Sequence, residues 1–325
     1  MSETSSYHGQ PVIKEPIWTW EIPMYFFTGG LAGASAGLGY LSGLRGNDVL
    51  ARRAWTGAMA GIGVSPVFLI SDLGRPERFL NMLRMFKVTS PMSVGSWILS
   101  VSGASTTLAA VNAWTGWFPR SARMARPIAA LSGLPLSTYT AALIANTAVP
   151  VWHESYRLLP FVYGAGAAQT AAAVAVAGTP PEHAAPARRL AIAGALVEVG
   201  VKEVMHHQLG EHGEPYKKGA GATFGHISRA CNLTGAALLY RRGARSRAAS
   251  VAAGALLCAG ALSARWSTFK AGFQSASDPK YVVGPQRRAI ERGERKGASR
   301  SSANVGEVKS EKGSPATAPV ELSAR

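Results

Sequence analysis

Between residues 23 and 264 the charges of this chain gather in short clusters, and eight stretches between the clusters are almost free of them. The stretches run approximately over residues 23–44, 54–71, 94–118, 127–149, 159–178, 190–205, 223–240 and 248–264. A helix rises about 1.5 Å per residue and the hydrocarbon core of a bilayer is about 30 Å thick, so about 17–25 residues span it. Five of the stretches meet that length comfortably. The sixth is short and carries charge, yet omitting it would strand a polar loop on the wrong side of the seventh. Backbone amides in lipid have to be satisfied within their own segment, which a bundle of helices achieves. The expectation is an all-α integral membrane protein with eight transmembrane helices.

Composition agrees. Of 325 residues, 47% are hydrophobic and 16% charged, against roughly 25% charged in a soluble domain. A net charge of +16 raises the question of nucleic acid, but Lys and Arg lie in the links between apolar stretches and in the C-terminal tail. That is where charges anchor helix ends at a bilayer surface, so no nucleic-acid role is expected. Cys231 and Cys258 stand far apart with no CxxC spacing, which gives no basis for a disulfide framework, a zinc site or an iron–sulfur cluster in this chain. The expected organisation is an interfacial segment over 1–22, a membrane domain over 23–270 and a polar basic tail over 271–325. The tail beyond about residue 290 is rich in Ser, Ala, Gly and charge, so it is expected to be disordered.

The leader before the first stretch carries Glu15, Glu21 and Lys14 with Trp18 and Trp20, and Tyr25 follows just inside the stretch, where a cleaved signal would carry a basic head. It reads as a retained helix with aromatic residues at the interface. Gly29, Gly33 and Gly37 recur every four residues, as do Gly57 and Gly61, a spacing that lets a neighbouring helix approach; a merely glycine-rich composition gives the same pattern. With eight spans, the odd-numbered loops carry twelve Lys and Arg and the even-numbered loops seven. That asymmetry favours odd loops in the cytoplasm and both termini outside, although the basic tail pulls the other way.

Several ionisable residues sit where an ordinary helix would not place them. Asp72 ends the second stretch, at a helix C-terminus where the macrodipole disfavours a carboxylate. It therefore needs a cation such as Arg75 or Arg78, or a role that uses a carboxyl of raised pKa. Glu198, Lys202 and His206 are spaced i, i+4, i+8 along one helical stripe in the sixth stretch. Glu198 and Lys202 read equally as a neutralising buried pair and as a proton path. Asn146 and Tyr139 place polar groups in the fourth stretch, where each is a helix–helix hydrogen-bond donor or faces a cavity. The alternation of spans gathers Glu21, Asp72, Arg75, His153 and Glu154 on one membrane face.

Three blocks resemble the NrfD/PsrC family, the membrane subunits of polysulfide reductase, formate-dependent nitrite reductase and related molybdopterin enzymes. They are residues 18–30 (WTWEIPMYFFTGG), 71–79 (SDLGRPERF) and 90–97 (SPMSVGSW). Residues 213–216 (GEPY) and 277–287 (SDPKYVVGPQR) are similar to a branch found beside formate-dehydrogenase-type partners. The resemblance implies two four-helix bundles and a menaquinone or ubiquinone head group held near the face that docks a four-cluster, ferredoxin-like iron–sulfur subunit. A molybdopterin-type catalytic subunit would complete the complex. By position, the resemblance assigns Glu21 and Tyr25 to the first-helix part of the head-group pocket, Asp72 to the acidic residue of the second block and Tyr139 to the fourth-helix tyrosine. Where some members have a histidine or asparagine in the first helix, this chain has Thr19 and Glu21.

The expected role is a quinone-handling membrane subunit that exchanges electrons with its iron–sulfur partner and holds no haem or cluster of its own. Asp72 and Glu21 are the candidate proton acceptors. Tyr25, Tyr139, Asn146, Arg75 and His153 are the candidate head-group contacts, and Glu198 and Lys202 a proton path. Two alternatives compete. A secondary transporter would show paired broken helices in corresponding halves, and none is evident. A haem b subunit would need axial histidines at depth in facing helices. His206, His207 and His226 instead cluster near one loop, and His153 and His183 lie in loops.

Overall fold

The computed structural model describes residues 12–284 and Gly293, and every described regular element is helical. Eight long helices occur: α1 (Glu21–Leu44), α2 (Asp48–Asp72), α4 (Pro91–Thr115), α5 (Pro119–Ala145), α7 (Leu159–Gly178), α8 (Ala185–Gln208), α9 (Gly219–Arg242) and α10 (Arg247–Ser277). Two short helices, α3 (Arg78–Met82) and α6 (Pro150–Glu154), and a 3-10 helix (Gly210–Tyr216) lie in the links. All of these belong to one compact unit, Met1–Tyr281; of the second, Val282–Arg325, three helical residues and Gly293 are described. The expectation of a disordered tail after about residue 290 falls almost wholly outside the described residues.

Local signals set the helix ends. Asn47 caps α2 by accepting the Leu50 amide at 3.2 Å, Ser90 caps α4 with Pro91 behind it, and Ser246 caps α10 by accepting the Ala249 amide at 3.2 Å. Gly116, at φ 76°, closes α4 in the left-handed conformation. Connections as short as Arg45–Asn47 force neighbouring helices to run antiparallel. Helices α1, α2, α4 and α5 pack in one cycle and α7, α8, α9 and α10 in another, with α7 wedged against α1, α2 and α5. Of the expected glycine stripe, Gly33 is the member that carries α1 packing. A Cβ there would fall 2.2 Å from the Gly133 carbonyl oxygen on α5, and one on Gly133 would fall 2.4 Å from the Gly33 oxygen. Gly37 faces open space. Gly61 lets α2 approach the α1 backbone at Thr28 and Ala32.

Helices α2, α4, α5, α7 and α10 are long and apolar enough to cross a bilayer. Helix α1, with its glycines and serines, and α8 and α9, which carry Glu198, Lys202, Glu203 and Arg229, are not among them. The last helix continues thirteen residues past the apolar run that predicted it, to Ser277, and so takes Arg265 and Lys270 into its length.

Candidate functional site

Antiparallel pairing brings the first residue of α1 and the last residue of α2 to the same end of the first helix cycle. Thr19, in the extended approach to α1, sits between them. Its backbone amide donates to Asp72 Oδ1 at 3.1 Å, its hydroxyl lies 3.0 Å from the same oxygen, and that hydroxyl also contacts Glu21 Oε2. Asp72 was expected to need a cation such as Arg75 or Arg78, or a role of its own. Among the described side chains its partner is Thr19, whose two donors offset the unfavourable helix-end position. Arg75 is exposed and makes no ion pair among the described residues. A threonine hydroxyl has one hydrogen to donate. That hydrogen is shared between two carboxylates, while Asp72 Oδ1 also accepts from the Thr19 amide.

One turn along α1 from Glu21, on the same face, lies Tyr25, which is fully buried. Its hydroxyl pairs with that of Tyr139 on α5, the rings meeting edge-on at 6.5 Å between centroids. The Tyr139 ring occupies the space above Gly95 of α4, where a Cβ would fall 2.1 Å from a ring carbon. All three blocks that carried the family resemblance therefore converge here, and each helix of the first cycle contributes one position. The two phenols share one hydrogen bond, so one O–H of the pair is left without an acceptor among the described residues.

Other predicted residues lie at the same end but apart from the pair. Asn146 is exposed at the C-cap of α5, and the His153 ring sits 3.2 Å from the Ala145 carbonyl. Between these elements Trp18 stacks on the buried Trp152 at 5.6 Å, and Trp152 Nε1 donates to the Thr268 carbonyl of α10 at 2.7 Å. The approach to α1 is thereby tied to the second helix cycle.

Glu198 and Lys202 lie elsewhere, in the second cycle, and among the described residues no hydrogen bond or ion pair joins them directly. Glu198 is fully buried. Its Oε1 lies 3.7 Å from Arg265 Nη1 of α10, and its Oε2 accepts from Asn232 Nδ2 of α9 at 3.0 Å. Gln169 of α7 extends the network by donating to Asn232 Oδ1 and to the Leu257 carbonyl, each at 2.7 Å. Arg265 donates to the Tyr163 carbonyl at 2.9 Å and lies 4.0 Å over the Tyr163 ring. Arg265, Asn232 and Gln169 escaped the sequence reading. Ending the last apolar stretch at residue 264 left Arg265 just outside it, although an arginine within a helix at that depth is itself a signal.

The two blocks assigned to a family branch also meet. Glu214, in the 3-10 helix, accepts from Lys218 at 2.9 Å and from Lys280 at 3.0 Å, with the Tyr281 hydroxyl at 3.3 Å. Hydrogen bonds from Lys218 and Lys280 pull its carboxyl from an ordinary 4.5 down to about 2.

A family model described as polysulfide reductase, of the NrfD type, matches residues 4–277. The chain belongs to the NrfD/PsrC family. Among solved structures, this NrfD-family chain is similar in fold to the bd oxidase from Geobacillus thermodenitrificans, with a TM-score of 0.53 and 14% identity. The match covers 74% of this chain and 78% of that one. No curated protein sequence matches the chain. Family membership together with five spanning-length apolar helices makes it a multi-pass membrane protein.

Proposed function

We propose that this NrfD-family chain binds the head group of a menaquinone or ubiquinone between the Tyr25–Tyr139 pair and the Glu21–Thr19–Asp72 cluster, as the membrane subunit of an oxidoreductase complex. The observation that carries this reading is the stacking of two functions on α1 one turn apart. A phenol pair with a spare O–H, Tyr25 fully buried and Tyr139 partly so, lies beneath two carboxylates that share one hydroxyl hydrogen. A quinone carbonyl needs a hydrogen-bond donor, and quinol oxidation needs proton acceptors, so the residues fit the group. When bound, the quinone supplies a two-electron, two-proton couple.

The chain's own residues do the rest. The Tyr25–Tyr139 pair, locked by Gly95 and by burial, orients a carbonyl oxygen with its free O–H. Asp72 and Glu21 hold protons at Oδ1 and Oε2, and the Thr19 hydroxyl passes a hydrogen between them. All eight long helices cross the cytoplasmic membrane in this reading, as two four-helix bundles with both termini outside. An iron–sulfur subunit docks on the face carrying Asp72, Arg75, His153 and Asn146 and exchanges electrons with the quinone. A molybdopterin-type subunit completes the complex, in line with the formate-dehydrogenase-like blocks at 213–216 and 277–287. Glu198 and Lys202 lie in the second helix cycle, outside these head-group contacts.

The test is quinone retention. The chain purified from membranes in mild detergent is extracted with organic solvent, and quinone is measured per mole of protein. The parent should retain a near-stoichiometric amount, and Tyr25→Phe/Tyr139→Phe should lose most of it while staying folded. Equal retention by both proteins would remove the phenol pair from the site.

A further inference from the structure

A second polar cavity, of about 210 Å³, opens between α8, α9 and the 3-10 helix, and it takes no part in the reading above. It is lined by Lys202, Glu203, His206, Tyr216, Ser228 and Arg229 among others. Among the described residues, three polar groups facing it make no hydrogen bond or ion pair. Lys202 is 6% exposed, and no hydrogen bond or ion pair engages its ammonium among the described residues. Ser228 is fully buried and its hydroxyl is unpartnered. His206 Nε2 is buried and unpartnered, with the imidazole held in place by stacking on Tyr216 at 4.5 Å between centroids.

Charge balance sharpens the point. Among the described residues Glu198 is the one buried carboxylate, and it faces two buried cations, Lys202 and Arg265. Arg265 lies 3.7 Å from it and Asn232 takes its other oxygen, so its charge is already matched when Lys202 is counted. At the cavity wall Glu203 is bound to Arg229. Lys217 adds a further positive charge to the lining. Two buried cations, Lys202 and Arg265, thus share the single negative charge of Glu198, which is costly in a low-dielectric interior, and a ligand anion offsets that cost. The first turns of α9 also direct the positive end of a helix dipole at the same region.

We infer that this cavity binds a small oxyanion, a carboxylate or phosphate group, held by the Lys202 ammonium, the Ser228 hydroxyl and His206 Nε2. About 210 Å³ is room enough for a small anion or for the phosphate of a lipid head group.

The experiment uses the full chain in phosphatidylcholine nanodiscs, titrated with sodium acetate or inorganic phosphate against sodium chloride at equal ionic strength, with Tm as the readout. A ligand that binds the folded state gives a saturable rise in Tm. Ser228→Ala removes one hydrogen bond to a charged group and should raise the half-saturating concentration at least about 10-fold. Lys202→Gln should abolish the response. A parallel series in phosphatidylglycerol nanodiscs separates the two sources. A Tm rise with acetate or phosphate identifies a free anion. A rise with phosphatidylglycerol alone, lost in both variants, identifies a lipid phosphate. The inference is overturned by an absence of any saturable response in all arms. It is equally overturned by a response of the same size in Ser228→Ala and Lys202→Gln.

Discussion

Replacing Arg265 by methionine isolates the buried ion pair at the centre of the second helix cycle. The side chain volume is nearly kept, while the guanidinium 3.7 Å from Glu198 is lost together with its bond to the Tyr163 carbonyl. At that 3.7 Å separation, two unit charges in a medium of effective dielectric about 20 attract by roughly 4–5 kcal/mol. Stripping one partner from a buried pair costs about 3–5 kcal/mol, because the other charge is left stranded. Arg265→Met should therefore lower unfolding stability by about 3–5 kcal/mol. Glu198→Gln/Arg265→Met should recover part of that, since Gln keeps an acceptor for Asn232 and removes the stranded carboxylate, leaving Lys202 as the remaining buried charge. The assay is a double-mutant cycle on the purified protein, followed by unfolding in mixed micelles with increasing denaturing detergent. Losses that add to within about 0.5 kcal/mol would show that the two groups are not coupled, and the account of the network would fall.

Asp72→Asn keeps the size and the acceptor oxygen for Thr19 but cannot take up a proton. Quinol oxidation by the assembled complex should fall by about 10²-fold or more with unchanged complex yield, in line with general-base contributions; normal turnover would leave Glu21 as the acceptor. Gly133→Ala puts a methyl 2.4 Å from the Gly33 carbonyl oxygen, so α1 and α5 must separate, and overpacking of this kind costs typically about 1–3 kcal/mol in thermal or detergent unfolding. The Glu214 clamp is a carboxyl held below its ordinary value, so its stabilisation is fully present above about 4.5 and lost as pH falls towards about 2. The Tm difference between the parent and Glu214→Gln should be constant from neutral pH to about 4.5 and vanish near 2. A difference that closes at neutral pH would contradict the clamp.

Helix placement was legible because lipid leaves the backbone one local solution. The run at residues 159–178 became α7 with the same bounds. Legibility failed at residue 264, where an arginine interrupts hydropathy without interrupting the helix, and the true stop is signalled by Asp278 and Pro279. Thr19 was quoted within a family block, but nothing local pairs it with Asp72, fifty-three residues away. The i, i+4 rule offered Lys202 to Glu198; the meeting of α8, α9 and α10 chose Arg265 and Asn232. Short-range spacing reports which side chains share a stripe. It does not report what a third helix brings to that stripe.

The Glu198–Arg265 pairing also carries a timetable. Arg265 follows Glu198 by sixty-seven residues, and at roughly 5–20 residues per second the ribosome needs roughly 3–13 s to supply it. During that interval the carboxylate has one cation on its own stripe, Lys202, a single turn away. Until α10 arrives, Lys202 is the cation that the helix itself sets nearest to Glu198. The same lysine would thus be wanted twice, first as a temporary counter-ion in a growing chain and afterwards as a vacancy for an anion in the finished one. Lys202→Gln should then depress the yield of inserted protein more than the stability of what is recovered. Equal yields from pulse-labelled membranes would show that no temporary counter-ion is needed.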